Sequence, residues 1–250
     1  MSGVVVTRSR APMVRYRSAT GEFGESRLDR VSAEVLLSGV PVREFRWFKG
    51  RRFYSGWYWS ATTGGLVAYE SRLELARVLL ADFDPAVVAI AAQPFQLSGM
   101  DAGRSRSHVP DLLLQDTSGL VTVVDVKPEH RLARPEVQAV FRWTEELVTA
   151  HGWAFEVWSG TDAVVLENVR FLAGYRRPGT IERGLLPLVM EASEQGGTIE
   201  ELELTLRSQA PVSAARPAIL HLLWRGDLQA DLTVPLAAGS AVWPCGRSVR

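Results

Sequence analysis

The chain has 250 residues, 46% hydrophobic and 22% charged, enough to bury one large core or two ordinary ones and unlike a disordered composition. Its formal net charge is zero, so overall charge does not mark a nucleic-acid or membrane-surface binder. A single cysteine, Cys245, excludes an internal disulfide framework and a cysteine-based zinc cluster, and no apolar run approaches the ~20 residues that span a bilayer.

The start, MSGVVVTRSRAPMVRYRS, is basic but lacks an apolar core with a cleavage site, so no signal peptide is read and a cytoplasmic protein is expected. Charge is unevenly spread. Residues 1–60 hold 11 Lys and Arg against 5 Asp and Glu, leaving 17 against 23 in the remainder. That fits a DNA-facing segment beside a carboxylate-rich body, or equally a solvated basic surface. Lys49 and Lys127 are the only lysines among 28 basic residues, so lysine marks places where a compact charge of tunable pKa is wanted.

In chain order, residues 1–40 show no firm periodicity before SAEVLLSGV and predict a poorly ordered extension. REFRWFKGRRFYSGWYWSATTG then reads as aromatic, basic hairpin strands broken at Lys49-Gly50 and Thr62-Thr63-Gly64-Gly65, their rings packing on the core rather than stacking on bases. SRLELARVLLADF is a helix with Leu73, Ala76, Leu79 and Leu80 on one stripe. VVAIAAQPFQL reads as one strand and GMDAGRSR as a loop. HVPDLLLQD and LVTVVDVKP are strands joined by the turn Asp116-Thr117-Ser118-Gly119. A long helix follows between Pro135 and Gly152, then the strand WAFEVWS and the helix DAVVLENVRFLAGY. Arg176-Arg177-Pro178-Gly179 looks like a boundary. Beyond it lie three helices (ERGLLPLVMEAS, TIEELELTLRS, SAARPAILHLLWRGDL) and two short strands, ADLTVPL and AVWP, the pattern of a winged helix-turn-helix. The expected class is α/β: an extension over 1–40, a mixed sheet flanked by helices over 41–177, and a winged-helix-like module over 178–250.

The chemistry gathers at one hairpin. Pro110-Asp111 opens its first strand and Asp125-Val126-Lys127 closes the second, where alternation puts Asp125 and Lys127 on one face. Charges at the rim of so apolar a strand (VTVVDVK) are costly unless they pair or bind an ion. Asp111 beside them completes an oxygen-rich pocket of the hard-donor kind that suits Mg²⁺. The residues match the PD-(D/E)xK nuclease signature. In that chemistry carboxylates hold the metal while the lysine orients water and stabilises the anionic transition state. A structural Asp–Lys pair at a strand end is the bland alternative.

The signature also needs an acidic group from the preceding helix, where Glu70 and Glu74 are both available. Ser71-Arg72-Leu73-Glu74 is itself a capping box, in which the glutamate bonds the N-cap amide, so a capping and a metal role compete for the same carboxylate and its residues leave the choice open.

The stretches ESRLELARVLLADFDPAVVAIAAQPFQL, HVPDLLLQ and VVDVKP resemble the TnsA-type transposase endonuclease family. Members share an S-x-L-E-L helix start, a Q-P-F or Q-F-P strand, a [PT]-D-[FL] strand and a closing x-V-K strand. The likeness covers roughly residues 40–175. It implies a restriction-endonuclease-like core in which Glu74 rather than Glu70, with Asp111 and Asp125, holds Mg²⁺ (Mn²⁺ substituting), the Val126 carbonyl assisting and Lys127 near the nucleophile. Asp125 stands where some members carry glutamine, and Gln93 matches the strand glutamine, read as structural or supporting. The family implies nicking of double-stranded DNA at transposon 5′ ends, with a DDE-type transposase subunit and a TnsC-like AAA+ ATPase as partners and a nucleoid-associated location. A stand-alone restriction or repair nuclease, or a non-catalytic assembly module, are the other readings.

His108, His130, His151 and His221 show no zinc-hydrolase spacing, and neither a P-loop nor a nucleophile elbow is present. His108, near Arg104 and Arg106, is read as a phosphate contact or as part of a solvated loop. Arg43, Arg46, Lys49, Arg51 and Arg52 form a basic cluster able to neutralise phosphates. Cys245 is read as a packing or surface residue.

Overall fold

The computed structural model describes residues 11–43 and 54–246. It divides into two compact units: the described residues up to Val78 with Ala86–Gly160, and Leu79–Pro85 with the described residues from Thr161 onward.

The first unit begins with ordered structure where an unstructured extension was expected. Strands β1 (Met13–Arg17) and β2 (Phe23–Arg27) form a hairpin, and α1 (Ala33–Leu37) follows, its N-terminus capped by the Ser32 hydroxyl. The short strands hid their signal because only Val14 on β1 is fully buried. Strands β3 (Gly56–Trp59) and β4 (Leu66–Tyr69) make an antiparallel ribbon with Tyr58 inward and Trp57 exposed. The aromatic segment just before it lies outside the described residues.

Helix α2 (Arg72–Phe83) leads to β5 (Val87–Ala92), β6 (Gln96–Asp101) and β7 (Arg104–His108). The segment read as one strand is therefore two, and they belong to different sheets. Gln93, at φ +46°, breaks the run, and Pro94 after it cannot donate to a ladder. The expected loop GMDAGRSR is instead the β6–β7 hairpin, turned by Ala102 (φ +48°) and Gly103 (φ +82°). Two consecutive positive φ values match the twist of hairpin strands, but Ala-Gly lacks the usual Asn-Gly or Asp-Gly signature.

Strands β8 (Leu112–Asp116) and β9 (Val121–Val126) form the expected hairpin. Then come the short α3 (Glu129–Leu132), the long α4 (Pro135–Ala150) and β10 (Ala154–Trp158). Helix α4 starts on Pro135, whose missing N–H costs nothing there, and stops before Gly152 at φ +90°.

Two four-stranded sheets result: antiparallel β2-β1-β6-β7, and β10-β9-β8-β5, mixed because β10 runs parallel to β9. Their inner faces share one core, with Val14 and Leu97 from the first sheet and Ala91, Leu113, Val121 and Val123 from the second. Trp143 and Val148 of α4 join it. β9 has neighbours on both edges, and its residues 123–126 are all buried, which explains its nearly continuous apolar run.

The second unit carries α5 (Ala163–Leu172), α6 (Leu185–Ala192), β11 (Gly197–Thr198), α7 (Ile199–Thr205), α8 (Val212–Arg225), β12 (Leu228–Ala230) and β13 (Ala241–Pro244). The three strands form an antiparallel sheet in the order β11-β13-β12. The expected strand ADLTVPL contributes only Ala230 to β12. Asn168 explains the rest: its amide donates to the Leu232 and Val234 carbonyls and its oxygen accepts from Leu236 N–H, holding that stretch as a loop. Helix α5 groups with this unit, although the sequence boundary was placed after it. Among the described residues no helix is long and apolar enough to cross a membrane.

Candidate active site

The β8–β9 register pairs Leu112 with Val124 and Leu113 with Val123. One step further the Asp111 amide donates to the Val124 carbonyl at 3.1 Å, which sets Asp111 and Asp125 opposite each other at the strand ends. Alternation puts both on the face that also carries Leu113, Val121 and Val123, and Asp125 is 1% exposed. The buried face of the sheet therefore ends in two acids.

Asp111 Oδ2 accepts from the Val126 amide at 2.7 Å. Burial, then the charges of Asp125 and Glu74, push the Asp111 carboxyl up from 3.8 to about 7, against the opposing pull of the Val126 hydrogen bond and Lys127. Glu74 is also raised, chiefly by burial, while its hydrogen bonds and the Lys127 charge act the other way. Asp111 thus lies within electrostatic reach of the other three predicted side chains, and Glu74 within reach of Lys127. Lys127 is fixed through its backbone, its amide donating to the Trp158 carbonyl at 2.9 Å. Val126 serves Asp111 through its N–H.

Glu74 performs the capping the sequence allowed, one residue further back than expected. Its Oε2 accepts from the Glu70 amide at 2.7 Å and its Oε1 from the Ser71 hydroxyl at 2.9 Å, while the Ser71 oxygen accepts from Glu74 N–H. Glu70 stands 3.8 Å from Arg43. One turn along α2, Arg77 makes a two-pronged pair with Glu156 on β10 at 3.0 and 2.8 Å, which ties the start of the helix to the strand beside β9.

Two neighbours stand beside this cluster, Gln93 as the supporting residue the sequence suggested and His108 in a contact with an acid rather than with phosphate. His108 ends β7, and its Nε2 lies 2.8 Å from both Asp125 oxygens. The missed hairpin hid it: once β7 is a strand, His108 pairs with Leu97 and shares the buried face. Gln93, 3% exposed, donates its backbone N–H to the Asp111 backbone carbonyl at 2.8 Å, and its side-chain Oε1 has no hydrogen-bond partner among the described residues. Of the nearby arginines, Arg106 is engaged by Asp101 and Arg104 is exposed. Arg46, Lys49, Arg51 and Arg52 lie outside the described residues. Cys245 is exposed.

Among the described residues no three His, Cys, Asp or Glu side chains stand in a ready-made metal-holding arrangement. The cause is visible in the bonds: Glu74 is turned to its cap, Asp111 to Val126 and Asp125 to His108. The donor chemistry nevertheless fits a hard divalent cation, since these are oxygen donors whose mutual repulsion and burial leave a proton on one of them near neutral pH.

The first unit is thus an α/β domain with a buried acidic cluster at the mouth of a strand pair. Its residues 84–160 match the family described as TnsA-like endonuclease N terminal. The matched span contains His108, Asp111, Asp125 and Lys127, and Glu74 precedes it. The curated proteins compared with the chain give no match.

Proposed function

We propose that this protein is a divalent-metal-dependent DNA endonuclease subunit of a Tn7-type transposase, nicking transposon 5′ ends. The observation that carries the reading is the gathering of Asp125, Glu74 and Lys127 around a buried Asp111, whose carboxyl is pushed up to about 7 by burial first and then by the two acids, inside or beside a span that matches the TnsA-like endonuclease family. A restriction-endonuclease-like core for the first unit and a winged-helix-like role for the second belong to the same proposal.

Asp111 and Asp125 would hold Mg²⁺ or Mn²⁺, with the Val126 carbonyl nearby. Glu74 can join without giving up its cap, because each carboxylate oxygen offers two lone-pair positions and capping uses one on each. Such an ion, when bound, supplies Lewis-acid stabilisation of charge on the phosphate and eases deprotonation of water. Lys127 orients the attacking water and stabilises the negative charge that develops as the phosphodiester opens. The acids also exclude an uncompensated anion from the pocket, so DNA phosphate enters only with a cation present.

The partners fitting this role are double-stranded transposon-end DNA, a DDE-type transposase subunit and a TnsC-like AAA+ ATPase. The test is nicking of transposon-end DNA with Mg²⁺ and the transposase present. K127A and D111A should abolish cutting while circular dichroism stays unchanged, and wild-type rates in either would end the assignment. Cutting by the purified chain alone would favour a stand-alone restriction or repair nuclease.

A further inference from the structure

The two sheets of the first unit meet over a shared core, and at its lip they are joined by a polar contact. β7 delivers His108 from the antiparallel sheet: its register partner is Leu97, a core residue, so the imidazole projects from the buried face. β9 delivers Asp125 from the mixed sheet, on the face of Val121 and Val123. His108 Nε2 sits 2.8 Å from each Asp125 oxygen, with the side chains 17% and 2% exposed. With the two Asp125 oxygens as acceptors, Nε2 is the donor of this contact. A donor equidistant from both oxygens tethers the end of the Asp125 side chain to β7 and keeps the carboxyl group from swinging away. Asp125 would otherwise be a buried acid facing Asp111 with freedom to turn away.

We propose that His108 is a positioning residue, the imidazole that orients the Asp125 carboxylate for the divalent cation. The inference rests on the nuclease reading above. Each Asp125 oxygen keeps a lone pair beyond the one used by the imidazole, so Asp125 could hold a cation without giving up His108.

Removing such a support typically costs 10–100-fold in metal affinity or rate. Full-length H108A should lose about that factor in Mn²⁺ affinity by calorimetry and in kcat for nicking, with KM for DNA unchanged. H108Q, whose amide N–H reaches the Nε2 position, should restore most of both; H108N, which is shorter, should not. In metal-free wild-type protein, nitrogen-15 NMR should show His108 protonated at Nε2, with that resonance displaced in D125N.

Wild-type Mn²⁺ affinity and kcat in H108A would overturn the proposal. So would an H108Q variant no better than H108A, because the imidazole would then act as a ligand or as packing alone. If H108A fails to fold, H108Q and the NMR signature still decide. A wild-type protein that neither binds Mn²⁺ nor nicks defeats the nuclease reading instead, and the NMR result would then stand as a structural pairing only.

Discussion

Asp111 and Asp125 face each other from the ends of neighbouring antiparallel strands, and the amide of Val126, the residue after Asp125, donates to Asp111 Oδ2 at 2.7 Å. One acid is therefore held by the backbone that carries the other. The two strands supply one backbone N–H to Asp111, and with Lys127 pulling the same way burial and the neighbouring acids still hold its carboxyl well above the usual range, so the unliganded site is stabilised by whatever neutralises it.

That has a pH signature. Asp111 has its carboxyl raised from 3.8 to about 7, so the folded state holds a proton that the unfolded chain releases. Its contribution to stability is complete below pH 4 and is lost as pH rises through about 7, a change on the order of 4 kcal/mol. D111N keeps an oxygen acceptor for Val126 and carries no charge. Urea unfolding in chelator should show the stability of D111N relative to wild type growing between pH 4 and 7 and levelling off above. Parallel curves across that window would mean Asp111 does not titrate there.

The same proton competes with a cation. Affinity for Mn²⁺, measured by calorimetry, should fall about tenfold for each pH unit below about 7, with proton release detected in buffers of different ionisation enthalpy. In D111N the pH dependence over this range should flatten and the affinity drop. PH-independent binding by the wild type would place the ion elsewhere.

Capping and function at Glu74 can be separated through its partner. S71A removes the hydroxyl that bridges Glu74 Oε1 and the Glu74 amide, costing about 1 kcal/mol of stability, and should leave most nicking activity. E74A removes the cap and the carboxylate together and should abolish nicking at a similar stability cost. If S71A is as inactive as E74A, the glutamate works by shaping the helix start.

The acids and the lysine were legible because they interrupt an apolar alternation, and an apolar strand that ends in D-V-K has few reasons to do so. The β8–β9 turn and α4 were legible because Asp116–Gly119 and Pro135 to Gly152 carry local signals. What stayed hidden depended on backbone states with no residue signature. Gln93 and Ala102 adopt positive φ although neither is glycine, and those two positions decide that β6 and β7 form a second sheet. Without that sheet His108 has no address, and its contact with Asp125 joins strands that no periodicity relates. The non-strand at residues 231–236 is of the same kind, set by Asn168 from a distant helix.

Arg77 offers a last test of how the helix glutamate is placed. Its guanidinium pairs with Glu156 through two contacts, and its side chain is 13% exposed against 34% for the glutamate. It lies three residues after Glu74 on α2, and Glu156 pairs in register with Val124 on β9, so the pair fixes the helix start against β10, the neighbour of the strand that carries Asp125. Planar two-point recognition is specific to arginine. R77A leaves a half-buried carboxylate alone and should cost about 1–3 kcal/mol, while R77K, a single point donor, should recover only part. Because the pair sits on the structural side of Glu74, nicking by R77A should fall through kcat with KM for DNA unchanged. A fully active R77A with reduced thermal stability would show that Glu74 is placed by its cap alone.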